Sequence, residues 1–229
     1  KPLLLEPVSN LVHVPAGTVA LDAVVATSGA GTKAVQERLL QLGFWLRHAD
    51  GTYDTTTRQA VMAFQKLNEL TPSGSVDEET ADSLLHADRP VSRSEEKKRD
   101  GDVMEVDLGK QVAYMVRGGV TEGVLNISTG TGKEYVERSL KNPQILIKDV
   151  ADTPRGHFRV QKLRGDGWWD GDLGPIYRPI YFRGGIAFHG SAVIPAYPAS
   201  HGCVRVSVDA MDMLWDSGLL EKWDDVWVY

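Results

Sequence analysis

The chain has 229 residues and a formal net charge of −6, from 25 basic and 31 acidic side chains. No stretch forms a sustained stripe of lysine and arginine, so nucleic acid is not expected as a partner, because that binding depends on neutralising phosphates. The single cysteine excludes a disulfide within the chain. No apolar run approaches the roughly 18 residues that span a membrane, and whether a signal peptide or membrane anchor precedes Lys1 stays open.

The N-terminal part predicts an extended lead-in followed by a small helical bundle. Residues 1–30 carry short apolar stretches of strand-like character. Over residues 31–87 the apolar positions recur at helical spacing, which predicts three short helices. Thr56 with Gln59 three residues later is interpreted as a capping box that opens the second helix, and Asp77 as the N-cap of the third.

A change of composition then separates this bundle from the rest of the chain. Residues 88–101 are densely charged and poor in apolar side chains, which predicts a linker and two functionally separable domains. Residues 102–229 show a period of two with recurring glycine and proline turns, and one helical stretch over 209–215. The predicted fold class is α+β, a three-helix bundle followed by a β-rich, sandwich-like domain.

The residues suited to chemistry are concentrated between positions 181 and 206. This segment contains His189, Ser200, His201, Cys203 and Arg205 among glycines and apolar residues. Thiol catalysis needs a thiolate, a base for its proton, and backbone donors for the oxyanion. Gly202 leaves room for a substrate carbonyl beside Cys203, and the amides of His201, Gly202 and Cys203 are candidates for the oxyanion hole.

Two other interpretations compete for this cluster. Cys203 could be an inert buried thiol among structural histidines, or His189, His201 and Cys203 could be zinc ligands. No fourth ligand is evident for zinc, and neither alternative explains the adjacent glycine. Nucleophilic catalysis explains all of these residues, so no metal and no cofactor are expected.

At this point the sequence is similar to a known family. His189-Gly190-Ser191 followed by SHGCVR at 200–205 resembles the signature of the L,D-transpeptidase (YkuD) family. Further matches follow in order along the chain: Glu105-Val106-Asp107, Gln111, Ile127-Ser128-Thr129-Gly130 and Thr153-Pro154-Arg155-Gly156. The helical region resembles a peptidoglycan-binding module, through AVQERLLQLGFWL at 34–46 and DGTYDTTTRQAVMAFQK at 50–66.

The resemblance implies roles for individual residues. Cys203 would be the nucleophile and His189 its base, with the ring of His189 oriented by the carbonyl of Gly190 and with His201 completing the catalytic set. Loop and oxyanion support would come from Gly190, Ser191, Ser200, Gly202 and Arg205, of which Arg205 would anchor the loop. A base that stabilises the thiolate is expected to lower the pKa of Cys203.

Less is implied about the substrate groove. Trp169, Tyr177, Tyr181 and Phe182 are candidates for lining it, although aromatic rings in such a domain more often fill the core. The segment 131–152 matches little of the family pattern, so its conformation and role stay open.

The implied reaction is the formation of 3→3 cross-links from tetrapeptide stems through a thioester on Cys203. Water as acceptor would instead make an L,D-carboxypeptidase, a lipoprotein amine would make an anchoring enzyme, and a silent site would leave a cell-wall-binding protein. The implied partners are peptidoglycan stem peptides and glycan, with carbapenem β-lactams as inhibitors. The implied location is the extracytoplasmic cell envelope of a bacterium.

Overall fold

The computed structural model describes residues 21–229, so most of the predicted N-terminal lead-in lies outside the described residues. Three helices form the N-terminal bundle: α1 (Ala30–Gln41), α2 (Thr55–Leu67) and α3 (Glu78–His86). Their apolar positions, which recur at helical spacing, are fully buried at Val35, Leu39, Val61, Phe64 and Leu84. The predicted bundle is therefore confirmed.

The helix starts agree with the sequence prediction at α3 and differ from it at α2. The carboxylate of Asp77 caps α3 as predicted. At α2 the predicted capping box of Thr56 and Gln59 is wrong. Asp54 is the N-cap, with extended backbone, and its carboxylate accepts a hydrogen bond of 2.7 Å from the amide of Thr57. A carboxylate directly before the helix satisfies one of the orphan amides of the first turn, two residues earlier than the predicted capping box would have begun the helix.

The segment predicted as a linker, residues 88–101, packs against the β-rich part through buried Arg89, Ser92 and Ser94, which bind Thr121 and Glu105. It contains the short helix α4 (Arg93–Glu96). Buried Arg89 pairs with Glu95, and fully buried Glu105 of the β-rich part accepts two amide hydrogen bonds, of 3.0 and 2.8 Å, from the first residues of α4. Two of the charges in this segment, on Arg89 and Glu95, therefore pair with each other, and the guanidinium of Arg93 lies 3.6 Å from the ring centroid of Tyr229 in the β-rich part.

Among the described residues, two five-stranded sheets, a separate hairpin and one longer helix follow. The first sheet, in the order β3-β2-β1-β12-β6, comprises β1 (Val103–Asp107), β2 (Val112–Arg117), β3 (Val120–Asn126), β6 (Gly156–Arg159) and β12 (Asp225–Val228). The second, in the order β11-β10-β9-β7 with β8 also paired to β9, comprises β7 (Lys162–Leu163), β8 (Trp168–Gly171), β9 (Gly174–Arg183), β10 (Ile186–Ser191) and β11 (Val204–Ser207). The hairpin is β4 (Glu134–Arg138) with β5 (Leu146–Val150), and α5 (Val208–Ser217) follows β11. Both sheets contribute to one core, which confirms the α+β, sandwich-like prediction.

Strand β2 is buried on both of its faces. Ala113 and Met115 point into the core between the two sheets. The alternate residues pack against the three helices, through Val112, Tyr114, Val116 and, from β3, Val124. The helical bundle and the β-rich part therefore share a hydrophobic core.

A buried lysine lies in this shared interface. The ammonium of Lys66, from α2, donates hydrogen bonds to the carbonyls of Gln111 (3.0 Å) and Ile127 (3.2 Å). Burial lowers the pKa of Lys66 to about 7. The side chain of Gln111 in turn holds Thr129 through bonds of 2.7 and 3.0 Å, and the carbonyl of Thr129 accepts the amide of Ser200 at 2.9 Å. The bundle thus supports the loop that carries the predicted active site.

Candidate active site

The pairing of β10 with β11 places His189 beside Arg205, which follows Cys203 by two residues in the chain. The two strands are parallel, with His189 opposite Arg205 and Phe188 opposite Val204. Because side chains alternate along a strand, Cys203 is expected on the same face as Arg205 and His189. Phe188 and Val204 point to the other face, where they are fully buried in the core.

This face forms part of the wall of a cavity of about 840 Å³. The residues of the predicted cluster that line it are Ser191, His189, Ser200, His201, Cys203 and Arg205. Its charged lining is mixed, with Asp149, Asp152, Asp170 and Asp172 alongside Lys141, Arg164, Arg183 and Arg205. Within residues 21–229, no group of three or more His, Cys, Asp or Glu side chains is arranged to hold a metal ion.

His189 is held as a neutral base. Its Nδ1 lies 2.9 Å from the carbonyl oxygen of Gly190. A carbonyl can only accept, so in the neutral ring Nδ1 carries the proton and Nε2 has a free lone pair. Burial lowers the pKa of His189 to about 4, more than the bond to Gly190 raises it. The imidazole is therefore uncharged at neutral pH and able to accept a proton at Nε2.

Cys203 is held as a neutral thiol. The residue is partly open to the cavity, and its Sγ lies 3.7 Å from the carbonyl oxygen of Gly185. Burial raises the pKa of the thiol, against the opposing effects of a backbone hydrogen bond at Ala187 and the charge of Arg205. The expectation that this pKa is lowered is wrong, because desolvation outweighs the stabilising groups. In the resting site, thiolate formation therefore requires transfer of the thiol proton to a base.

The loop before β11 is fixed by side-chain hydroxyls. The Oγ of Ser200 donates to the carbonyl of Cys203 at 2.5 Å and accepts the amide of Gly202 at 3.0 Å. The Oγ1 of Thr153 donates to the carbonyl of Gly202 at 2.6 Å. Since the amide of Gly202 is bound to Ser200, it is not available for an oxyanion, and the prediction that it contributes is wrong. The amides of His201 and Cys203 stay as the candidates.

Gly202 is required by the fold of this loop. Its φ is 133°, in the region that favours glycine, and a Cβ built there would lie 2.7 Å from the carbonyl oxygen of Asp152 and 2.8 Å from Cδ1 of Ile186. The sequence argument assigned this glycine to the approach of substrate. Its first role is to let the loop pack against residues 152 and 186.

His201 is bound to the hairpin formed by β4 and β5. Its Nε2 lies 2.9 Å from Oε1 of Glu137, and its ring packs edge-on against Tyr135 with the centroids 4.6 Å apart. Glu137 and Tyr135 are residues that the sequence argument missed, because their segment lacks the family pattern. The tip of this hairpin contacts the turn after β8, because Ser139 Oγ and the amide of Leu140 each donate a hydrogen bond of 2.8 Å to Asp172. The segment 131–152 therefore closes one side of the cavity.

Two further predicted support residues have defined contacts. Arg205 anchors the loop through its backbone, which exchanges hydrogen bonds of 3.1 and 2.9 Å with Ser128, while its side chain lines the cavity. The Oγ of Ser191 lies within 3.2 Å of both the amide and the carbonyl of Val193, in a local turn at the cavity wall.

The structure divides the predicted groove aromatics into two pairs. Trp169 and Tyr181 line the cavity. The hydroxyl of Tyr177 instead donates to Asp212 at 3.0 Å, and its ring packs against the core. Phe182 is fully buried, so its assignment to the groove is wrong. Since Tyr181 faces the cavity, the alternation of β9 directs the next side chain inward.

Comparisons with known proteins agree with this architecture. A family model described as "L,D-transpeptidase catalytic domain" (YkuD) matches residues 101–228, and one described as "Putative peptidoglycan binding domain" matches residues 28–84. The crystal structure of an L,D-transpeptidase from Xylanimonas cellulosilytica DSM 15894 is 41% identical, with a TM-score of 0.80 over 93% of this chain and 100% of that chain. This chain therefore belongs to the L,D-transpeptidase (YkuD) family, and it is an enzyme of that kind.

More distant structures share the family name. The L,D-transpeptidase of Stackebrandtia nassauensis is 19% identical, with a TM-score of 0.48 over 93% of this chain and 97% of that chain. An L,D-transpeptidase of Mycobacterium tuberculosis H37Rv is 16% identical, with a TM-score of 0.42 over 56% of this chain and 57% of that chain. A search of curated proteins found no match.

Proposed function

We propose that this enzyme forms 3→3 peptidoglycan cross-links from tetrapeptide stems through a thioester on Cys203. The observation that carries the proposal is the tautomer of His189, whose Nδ1 is fixed on the carbonyl of Gly190 and whose Nε2 is left basic, in the wall of the cavity that Cys203 also lines. A neutral base in the same cavity wall as a neutral thiol is suited to taking the thiol proton as the sulfur attacks.

In the first half-reaction, the sulfur of Cys203 bonds to the carbonyl carbon of the third stem residue. The thiol proton passes to Nε2 of His189, and the negative charge on the carbonyl oxygen is stabilised by the amides of His201 and Cys203. The carbon–nitrogen bond to the terminal D-alanine then breaks, and His189 returns the proton to the leaving amine. The products are a thioester and free D-alanine.

In the second half-reaction, the side-chain amine of another stem attacks the thioester. His189 accepts a proton from this amine and returns one to the sulfur, so the cross-link forms and the thiol is regenerated. The step balances without electron transfer, since one proton leaves the amine and one returns to the sulfur. The pKa of His189, about 4, keeps the ring ready to accept a proton above that pH.

The acceptor distinguishes this proposal from its relatives. Water would make the same site an L,D-carboxypeptidase, and a lipoprotein amine would make it an anchoring enzyme. A catalytically silent cell-wall-binding protein is disfavoured, because such a protein has no need for the ordered His189, Ser200 and Cys203 contacts.

The proposed partners and location follow from the two family matches. The helical bundle would retain the enzyme on peptidoglycan glycan and stem peptides, in the extracytoplasmic envelope of a bacterium, as a secreted or membrane-anchored protein. No helix in residues 21–229 is long and apolar enough to cross a membrane. Carbapenem β-lactams, whose strained amide a thiol can open, are the expected inhibitors.

Turnover of a tetrapeptide donor with and without an added amine tests the proposal. We expect release of D-alanine and an amine-linked product with the wild type, and neither with Cys203→Ala. Release of D-alanine with no amine product, at any amine concentration, would replace the transpeptidase proposal with a carboxypeptidase. Absence of any release would contradict both.

A further inference from the structure

The guanidinium of Arg205 is an unpaired cation in the cavity wall. Within residues 21–229, no carboxylate, carbonyl or aromatic ring forms a hydrogen bond, ion pair or stacking contact with this side chain. Other cavity arginines have partners, since Arg164 lies 4.2 Å from the ring centroid of Trp169 and Arg183 lies 5.4 Å from that of Phe158. Arg205 is half-buried, and a guanidinium remains charged even when partly desolvated. Its place in the wall therefore suits an anionic group that enters the cavity.

The position of Arg205 relative to the thiol of Cys203 limits which anionic group of a substrate it can bind. Arg205 lies two residues beyond Cys203 and both residues line the cavity; two residues of extended chain span about 6.5 Å between Cα atoms. It also lies directly opposite His189. The charge of Arg205 acts on both of these residues, which supports this proximity. An anion bound to Arg205 is consequently close to the scissile bond of a substrate that Cys203 attacks.

A peptide donor that ends one residue beyond the scissile bond carries a carboxylate close to Cys203. A scissile carbon in attack geometry lies about 3 to 3.5 Å from the sulfur. Three covalent bonds connect that carbon to the carboxylate carbon of a single C-terminal residue, which spans about 3.8 Å at most. The carboxylate then lies within about 7 Å of the sulfur, within reach of a guanidinium whose backbone is two residues from Cys203.

We propose that Arg205 binds the C-terminal carboxylate of the leaving residue and so selects donors that end one residue beyond the scissile bond. This inference rests on the proposed function, because it presumes a peptide donor at Cys203. Arginine matches a carboxylate through two parallel hydrogen bonds, which a lysine cannot form. The backbone of Arg205 is already fixed by Ser128, so the guanidinium is presented from a rigid strand.

A comparison of two donors tests this assignment. One is the tetrapeptide acid, and the other is the same peptide with a C-terminal amide, which removes the charge and keeps the scissile bond. A charged hydrogen-bonded pair in a partly buried site is worth roughly a 10- to 100-fold change. With wild type we expect kcat/KM for the acid to exceed that for the amide by this factor.

Substitutions then assign the preference to one residue. Arg205→Met should reduce the acid-to-amide ratio to near 1, and Arg205→Lys should leave an intermediate ratio. The matched control is Arg183→Met, an exposed cavity arginine that should keep the wild-type ratio. The ratio separates carboxylate binding from a general effect on the thiol, because loss of charge beside Cys203 affects both donors alike.

The possible outcomes separate the role proposed for Arg205 from the proposed transpeptidase function. Equal kcat/KM for acid and amide with the wild type would overturn the role of Arg205, and this measurement needs no variant to fold. A preference that survives Arg205→Met, or that is lost in Arg183→Met instead, would overturn it as well. In all of these cases the amine-dependent turnover of the wild type still supports the proposed function, whereas no turnover of either donor would contradict that function.

Discussion

Removal of the helical bundle should unfold the β-rich part instead of releasing an active domain. A chain that begins at Asp100 loses α1 to α4, and with them the cover over one face of β2 and β3. The side chains exposed are Val112, Tyr114, Val116 and Val124, which are 0 to 7% exposed in the intact protein. Exposing one such side chain costs about 1.5 to 3 kcal/mol, so the four together cost on the order of 6 to 12 kcal/mol as an upper limit.

The truncation also leaves a buried carboxylate without partners. Glu105 is fully buried, and it accepts the amides of Arg93 and Ser94, which the shortened chain lacks. The hydroxyl of Tyr229 would be its remaining partner. A buried acceptor that loses its donors costs a further ~1 to 3 kcal/mol. Because domains are stable by about 5 to 15 kcal/mol in total, these losses should remove most or all of the stability.

Urea unfolding followed by near-UV circular dichroism measures this effect. A chain of residues 21–229 keeps every described residue and serves as the control, and it should unfold cooperatively. The chain beginning at Asp100 should show no cooperative transition and should aggregate at size-exclusion chromatography. A cooperative transition at a similar midpoint, with unchanged reactivity of Cys203, would refute the shared core and restore the prediction of separable domains.

Three further expectations follow from individual residues. Lys66 has a pKa of about 7 when folded and about 10.4 when unfolded, so the unfolded state binds the proton more strongly and stability should rise with pH from about 7 toward 10. The free energy of unfolding should therefore rise by about 1.4 kcal/mol per pH unit more in the wild type than in Lys66→Met. Equal pH slopes in the wild type and Lys66→Met would contradict the burial of this ammonium, as would a loss of slope in the control variant Lys33→Met, whose lysine is exposed. Gly202→Ala should abolish acylation, whereas Gly132→Ala, also at a positive φ but with no atom within 4 Å of the new Cβ, should cost only backbone strain of about 1 to 3 kcal/mol. Equal acylation rates in the two variants would show that the predicted clash is absent. A carbapenem should add its mass once to the wild type and not to Cys203→Ala, as read by intact-protein mass spectrometry, and an adduct that persists on the variant would remove Cys203 from the site.

The central features of the site could be predicted because they lie close together in the sequence. His189 and Cys203 fall within one segment that resembles a family signature, and the contact between His189 and the carbonyl of Gly190 agrees with that resemblance. Strand alternation also predicts which aromatic residues of β9 are buried. Once Tyr181 is assigned to the cavity, Phe182 has to point into the core.

Other features depend on contacts between distant segments. The charges of 88–101 predict a linker when the segment is considered alone. Only contacts with other segments pack it against the β-rich part, where Arg89 binds the carbonyl of Thr121 and Glu105 accepts the amides of Arg93 and Ser94. The burial of the outer face of β2 can be inferred from the sequence, because residues 112–116 form a continuous apolar run and not an alternating one. The contact of Glu137 with His201 joins residues 64 positions apart and has no counterpart in local sequence.

The thiol pKa could not be predicted from composition for a related reason. A nearby histidine lowers the pKa of a cysteine only when it is itself charged, and the burial of His189 keeps it neutral. The pattern of residue types is the same for an ion pair and for a neutral pair. Desolvation, which depends on the whole surrounding fold, decides between them.

The acyl-enzyme itself tests the account most directly. The wild type, mixed with the tetrapeptide donor and quenched in acid within the first turnover, should gain the mass of the donor less D-alanine, and peptide mapping should place the gain on Cys203. His189→Ala should acquire this mass far more slowly at neutral pH, while its Cys203 still reacts with iodoacetamide at high pH, where the thiolate forms without a base. A gain of mass on Cys203→Ala, or wild-type turnover with no adduct on Cys203 at any quench time, would contradict the proposed thioester mechanism.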